Sequence, residues 1–152
     1  MTPEWVGLSI RQPWIDLILE GHKTIEVRDW SIKRRGPILL HAARAMDWKT
    51  IELFGYRDPY RLPRGSLVGY AEITTVVELT RGAWLEHLER HLVIHPFASN
   101  RYGAVLGNVR KFQRPVPCSG KLMFFPIPAS VHARVAGQME QLGLKGGRSP
   151  AK

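Results

Sequence analysis

Cys118 is the only cysteine among 152 residues. The chain therefore forms no internal disulfide, and a cysteine-based metal cluster is excluded. No stretch is apolar and long enough to cross a membrane, and no internal repeat marks a solenoid or propeller. The opening residues Met1-Thr-Pro-Glu-Trp5 lack the basic start and apolar run of a secretory leader. These absences set the expectation of a reducing, cytoplasmic setting with no membrane partner. Acidic residues are scarce as well: 13 Asp and Glu stand against 22 Lys and Arg, a net charge of +9. Extra basic residues sometimes serve solubility alone, but here they cluster, at Lys33-Arg34-Arg35, at Arg57, Arg61 and Arg64, and at Arg110, Lys111 and Arg114. Such an excess attracts polyanions. With no basic amphipathic helix in view, nucleic acid is favoured over a membrane surface.

What is present fits one globular domain. The apolar share of 44% and charged share of 23% are near globular averages, and 14 Gly and 11 Pro are scattered as turn punctuation. Residues 6–10 read as a first strand, and Gln12-Pro13 opens a short helix with Trp14, Leu17 and Ile18 at helical spacing and Gly21 placed to end it. Residues 23–30 alternate Thr24, Glu26, Arg28 against Ile25, Val27, the period of a half-buried strand. Further strands are expected at 38–42, 67–79, 105–113 and 122–127, and helices at 46–54, 82–92 and 130–142. No glycine-rich phosphate loop follows the first strand, and strand and helix alternate irregularly, which disfavours a doubly wound sheet. The expected fold is α+β: a mixed, mostly antiparallel sheet closed into a small β-barrel with peripheral helices. Residues 1–142 form the single domain, and 143–152 are expected to be a flexible basic tail with too little apolar surface to fold.

The densest chemistry lies between Ser9 and Trp30. Glu26 and Arg28 are two apart on a strand and share a face, and neither belongs in a core unless paired. Lys23 would face the other way unless the chain bends after Gly21. Leu8-Ser-Ile-Arg-Gln-Pro-Trp14 followed by Gly21-His-Lys-Thr-Ile-Glu-Val-Arg28 resembles the signature of the ASCH family, named for homology to activating signal cointegrator. The family pattern Gly-x-Lys-x-x-Glu-x-Arg is met at Gly21, Lys23, Glu26 and Arg28. Arg35-Gly36 before Ile38-Leu-Leu-His41-Ala, Gly65-Ser-Leu-Val-Gly69, and the closing strand over residues 102–112 resemble its later blocks, so the resemblance spans about residues 6–127.

The resemblance implies a barrel like that of PUA domains, with a cleft near its mouth for RNA or a nucleotide-like ligand. The family pattern carries over at Lys23, Glu26 and Arg28, and with them Ser9, Gln12 and Trp14. Arg28 and Lys23 are suited to phosphate, Glu26 and Gln12 to a base edge or ribose hydroxyl, and Trp14 or Trp30 to stacking. Trp14 is equally suited to the core, and Glu26 with Arg28 to a structural ion pair. Arg34, Arg35 and His41, from the basic run and the next block, complete the candidate binding set. RNA or single-stranded nucleic acid is the expected partner, with a modified nucleoside as a second ligand class. No cofactor and no metal are expected.

An enzyme is the alternative. Some ASCH-like proteins are amidohydrolases of acylated nucleosides, with a Thr three residues after the Lys. Here that place holds Glu26, and a carboxylate cannot replace an attacking hydroxyl without a change of mechanism. Lys23 and Glu26 would then be the catalytic pair, with Glu26 as general base. Ribonuclease activity is a further family property, and an adaptor role in transcription or translation assemblies is a third class. His87 and His91, four apart, do not make the zinc-protease motif and read as surface residues. Cys118 reads as a bystander thiol in a turn, and Ser9 as polar lining rather than a nucleophile.

Overall fold

The computed structural model describes residues 5–144. Most of the tail expected at 143–152, and the opening residues before Trp5, lie outside the described residues. Six strands form one sheet, β1 (Val6–Gln12), β2 (Ile25–Arg28), β3 (Gly36–Met46), β4 (Ser66–Glu78), β5 (Tyr102–Pro117) and β6 (Phe124–Pro126), in the order β2-β5-β4-β3-β1-β6. Only the β1–β3 pair is parallel. The helices are α1 (Trp14–Leu19), α2 (Trp48–Leu53), α3 (Arg81–Glu86), α4 (Leu88–His91) and α5 (His132–Gln141).

Two apolar layers follow from the strand period. On β3, Ile38, Leu40 and Ala42 join Leu8 and Ile10 of β1 in one core, while Leu39 points to a second. Helix α1 closes the first core with Ile15 and Ile18, both fully buried. Its Leu19 lies where a side chain on Gly69 of β4 would collide, a Cβ there standing 2.7 Å from Leu19. The second core packs Val135 and Met139 of α5 against Leu67, Phe112 and Val116. Register shifts interrupt β1–β3, β3–β4 and, three times, the long β4–β5 pair. Bulges of this kind sharpen twist and bend a sheet, which here wraps around the first core.

The two edge strands approach each other without a ladder between them. Arg28 at the end of β2 donates to the Ser9 carbonyl of β1 at 2.9 Å. Trp30 packs edge-on against Phe124 of β6, with ring centroids 5.4 Å apart. Strand β6 pairs only with Val6, Gly7 and Leu8, so beyond Leu8 this side of β1 has no ladder neighbour. The barrel therefore closes through side chains along a seam, and the mouth of that seam opens beside Ser9.

Several expected boundaries move. The strand at 23–30 is four residues long: Ile25–Arg28 pair in register with β5, and the Thr24 carbonyl accepts from the Leu106 N–H while its own N–H goes to the Arg90 carbonyl. The helix expected over 82–92 breaks at His87 into α3 and α4, and His91 turns into the interior. That corrects its reading as a surface residue. No helix of the described residues is long and apolar enough to cross a membrane.

Candidate functional site

Gly21, at φ +85°, turns the chain after α1, so Lys23 precedes β2 and escapes strand alternation. Its backbone N–H is held by the Leu17 carbonyl. The side chain is 1% exposed. It donates to the His91 carbonyl at the end of α4, lies 4.6 Å from the centre of the Trp14 ring, and stands 3.8 Å from the Glu26 carboxylate. Burial pushes the Lys23 amine down to about 8, against the pull of the Glu26 charge and with a small further push from Arg28. Glu26 is also engaged on its other oxygen: Arg28 donates to it through Nε at 2.9 Å, and Nη2, whose hydrogen bond goes to the Ser9 carbonyl, stands 2.9 Å from the same oxygen as an ion-pair contact. Lys23, Glu26 and Arg28 are thus one linked triad, with Arg28 its member nearest solvent.

A cleft of about 1030 Å³ lies along the seam. Ser9, Trp14, Glu26, Arg28 and His41 line it, five of the ten residues expected from sequence to bind ligand. Lys23 lies beneath its floor and lines an adjoining cavity of about 270 Å³, together with Trp14, Glu26, Trp84 and Arg101. Gln12, Trp30, Arg34 and Arg35 line neither cavity. The Gln12 amide is occupied at both ends, donating to the Pro63 carbonyl at 3.0 Å and accepting from the Asp16 N–H at 3.1 Å. Trp30 packs on Phe124. Arg34 and Arg35 bond carbonyls of their own turn. Among the described residues no group of three or more side chains is arranged to hold a metal ion.

Four cleft cations escape sequence reasoning: Arg11, Arg44, Arg101 and Lys121. Each is a single basic residue at a strand end or in a loop, and only the folded sheet brings them together. The acids among them are largely spent. Glu26 is tied to Lys23 and Arg28. Asp47 caps α2 through Thr50 and accepts the Trp14 indole N–H at 3.0 Å. Burial would raise its carboxyl, but the bonds from Thr50 and Trp14 outweigh that and hold it below the usual range. Asp29 alone is exposed.

The far wall is the loop between β5 and β6. His41, 2% exposed, meets Ser9 Oγ at 2.9 Å through Nδ1 and the Cys118 carbonyl at 2.6 Å through Nε2. A carbonyl only accepts, so Nε2 carries the hydrogen, and in the neutral ring Nδ1 accepts the Ser9 hydroxyl. Burial, reinforced by Arg44 and opposed by the Cys118 carbonyl, lowers the imidazole pKa and favours that neutral form. Gly120 lies directly over the pair: a Cβ there would stand 2.6 Å from His41 Cε1 and 3.0 Å from Ser9 Oγ.

A sequence model of the ASCH domain matches residues 8–115. No curated protein sequence matches significantly. Among solved structures, ASCH from Zymomonas mobilis superposes with a TM-score of 0.62 at 12% identity, covering 87% of this chain and 93% of that one. A mutant form of the same Zymomonas mobilis protein gives 0.62 at 13% identity over 90% and 98% of the two chains. At such identities the likeness is one of fold.

Proposed function

The chain belongs to the ASCH domain family, and from that premise we propose that its seam cleft binds RNA or a nucleotide-like ligand. The observation that carries this reading is the charge of the cleft. Five cations line it, Arg11, Arg28, Arg44, Arg101 and Lys121, against three acids, of which Glu26 is ion-paired with Arg28 and Asp47 is held by the Trp14 and Thr50 N–H groups. Phosphate is the ligand group that such an arrangement favours. Trp14 offers an aromatic wall, and Ser9, whose hydroxyl is oriented by His41, offers with the backbone of Gly120 polar atoms for a base or ribose. Lys23 acts here as a positioning residue, holding Glu26 from below so that Glu26 in turn orients Arg28.

The test is a titration of short single-stranded RNA at two salt concentrations. Arg11→Ala/Arg101→Ala is the variant of choice, because Arg28→Ala would strand a buried carboxylate and cost about 3–5 kcal/mol of stability. The double variant should bind more weakly and show a log K against log salt slope smaller by about two. Parent binding that is insensitive to salt, or a variant equal to the parent, contradicts the reading.

One observation favours a second reading, hydrolysis of an acylated nucleoside. A lysine brought to about 8 is partly neutral near physiological pH, and this one borders a small cavity beside the cleft. Turnover of an N-acylated nucleoside that Lys23→Met abolishes, with little dependence on salt, would favour it over binding alone.

A further inference from the structure

Beyond the cleft, residues 44–64 carry five basic side chains against three acids, one of which is the engaged Asp47. Helix α2 runs through this segment and is fixed to the cleft wall at both ends by the same residue. Asp47 at its start accepts the Trp14 indole N–H, and Phe54 at its end packs edge-on against the Trp14 ring, 6.2 Å between centroids. The helix buries only Thr50 and Ile51. Trp48, its first residue, is 47% exposed, and Tyr60 is 71% exposed. Their rings lie 5.4 Å apart, and neither belongs to the two apolar cores. Two large aromatic rings left in solvent beside cations are not explained by packing.

Two linked arginines lead from the cleft toward this segment. Arg44 lines the cleft, and its side chain lies across Gly65, where a Cβ would stand 3.3 Å from it. Arg64 donates to the Arg44 carbonyl at 3.4 Å. Arg57, Arg61 and Lys49, all exposed, flank the two rings in sequence. Aromatic faces interleaved with cations suit successive bases and phosphates of a flexible strand. We propose that Trp48 and Tyr60 form a stacking platform for single-stranded polynucleotide, continuous with the cleft through Arg44 and Arg64. The proposal rests on the reading of the cleft as a nucleic-acid site and extends it: the ligand is a polymer that leaves the cleft along α2, rather than a lone nucleotide.

Strand length separates the two claims. Labelled oligouridylates and oligothymidylates of about four and about twelve nucleotides would be titrated by fluorescence anisotropy into the full chain. The proteins are the parent, Trp48→Ala/Tyr60→Ala, Trp48→Phe/Tyr60→Phe and the cleft variant Arg11→Ala/Arg101→Ala. The parent should bind the longer strand more tightly than the shorter. The alanine pair should lose about tenfold on the longer strand and nothing on the shorter, the phenylalanine pair should keep parental affinity, and the cleft variant should weaken on both. Oligouridylate bound more tightly than oligothymidylate, despite the better stacking of the methylated base, places the 2′-hydroxyl in the recognition, whereas equal or weaker binding leaves stacking as the main contribution; both agree with the platform. If the alanine pair binds the longer strand like the parent, the platform is overturned while the cleft reading stands. If the parent binds neither length, both are overturned.

Discussion

Lys23 shows how one side chain ties stability to the site. Its ammonium is buried among the His91 carbonyl, the Trp14 ring and the Glu26 carboxylate, and burial lowers its pKa from 10.5 to about 8. Between those values the unfolded chain retains a proton that the folded protein has released. Stability contributed at this residue therefore rises with pH across that window and is least below it. In urea unfolding from about pH 7 to about pH 10, the parent should gain on Lys23→Met as pH increases, the tyrosines and other groups being common to both. A gap that stays constant or narrows would mean that the amine remains charged throughout. The importance of Lys23, Glu26 and Arg28 is legible in their spacing and in the family pattern. The burial of Lys23 is not, because its main partner is a backbone carbonyl 68 residues away and a carbonyl leaves no mark in side-chain pattern.

At the scale of elements, the seam and the loop after β5 decide what the cleft is. Ser119, Gly120 and Lys121 can lie against Ser9 and His41 only because residue 120 has no side chain. Gly120→Ala should displace this loop and cost about 1–3 kcal/mol, the range for overpacking a close contact, read as a lower urea midpoint. Unchanged stability would show that the loop gives way freely. Sequence periodicity finds the strands and the helices with their order, since alternating Ile and Val and the stripe of α5 are local signals. It misplaces the ends of β2 and β5, whose lengths are set by each other's register. It also misses the break at His87. That break lets His91 turn inward onto Trp84, 4.5 Å between ring centroids, with Nε2 bonded to the Trp84 carbonyl, and it presents the carbonyl that holds Lys23. The four additional cleft cations were illegible for a related reason: proximity across a curled sheet is a property of strand order, and strand order is not written in any one segment.

On the scale of the molecule, a net charge of +9 is divided among several surfaces with different uses. Arg110 donates to the Leu142 carbonyl beside α5, the Arg114 N–H bonds Gln138 of that helix, and Lys111 lies 3.9 Å from Glu20 at the end of α1, so this basic group of β5 is engaged with the helices packed on the sheet. The cleft cations and those along α2 instead face open space or line the cavity. Long-range attraction draws on the whole excess, whereas the salt-sensitive contacts of a bound strand fall to the cleft. The measurement that tests this most directly is an amide chemical-shift map of the parent protein titrated with an oligouridylate of about four nucleotides. The expected result is a set of shifts confined to the cleft, at residues 9–11, 26–29, 43–44, 101 and 119–123, with α5 and residues 110–114 of β5 unmoved. Shifts centred on α5 and residues 110–114, with the seam silent, would contradict the account and move the nucleic-acid surface to the opposite core.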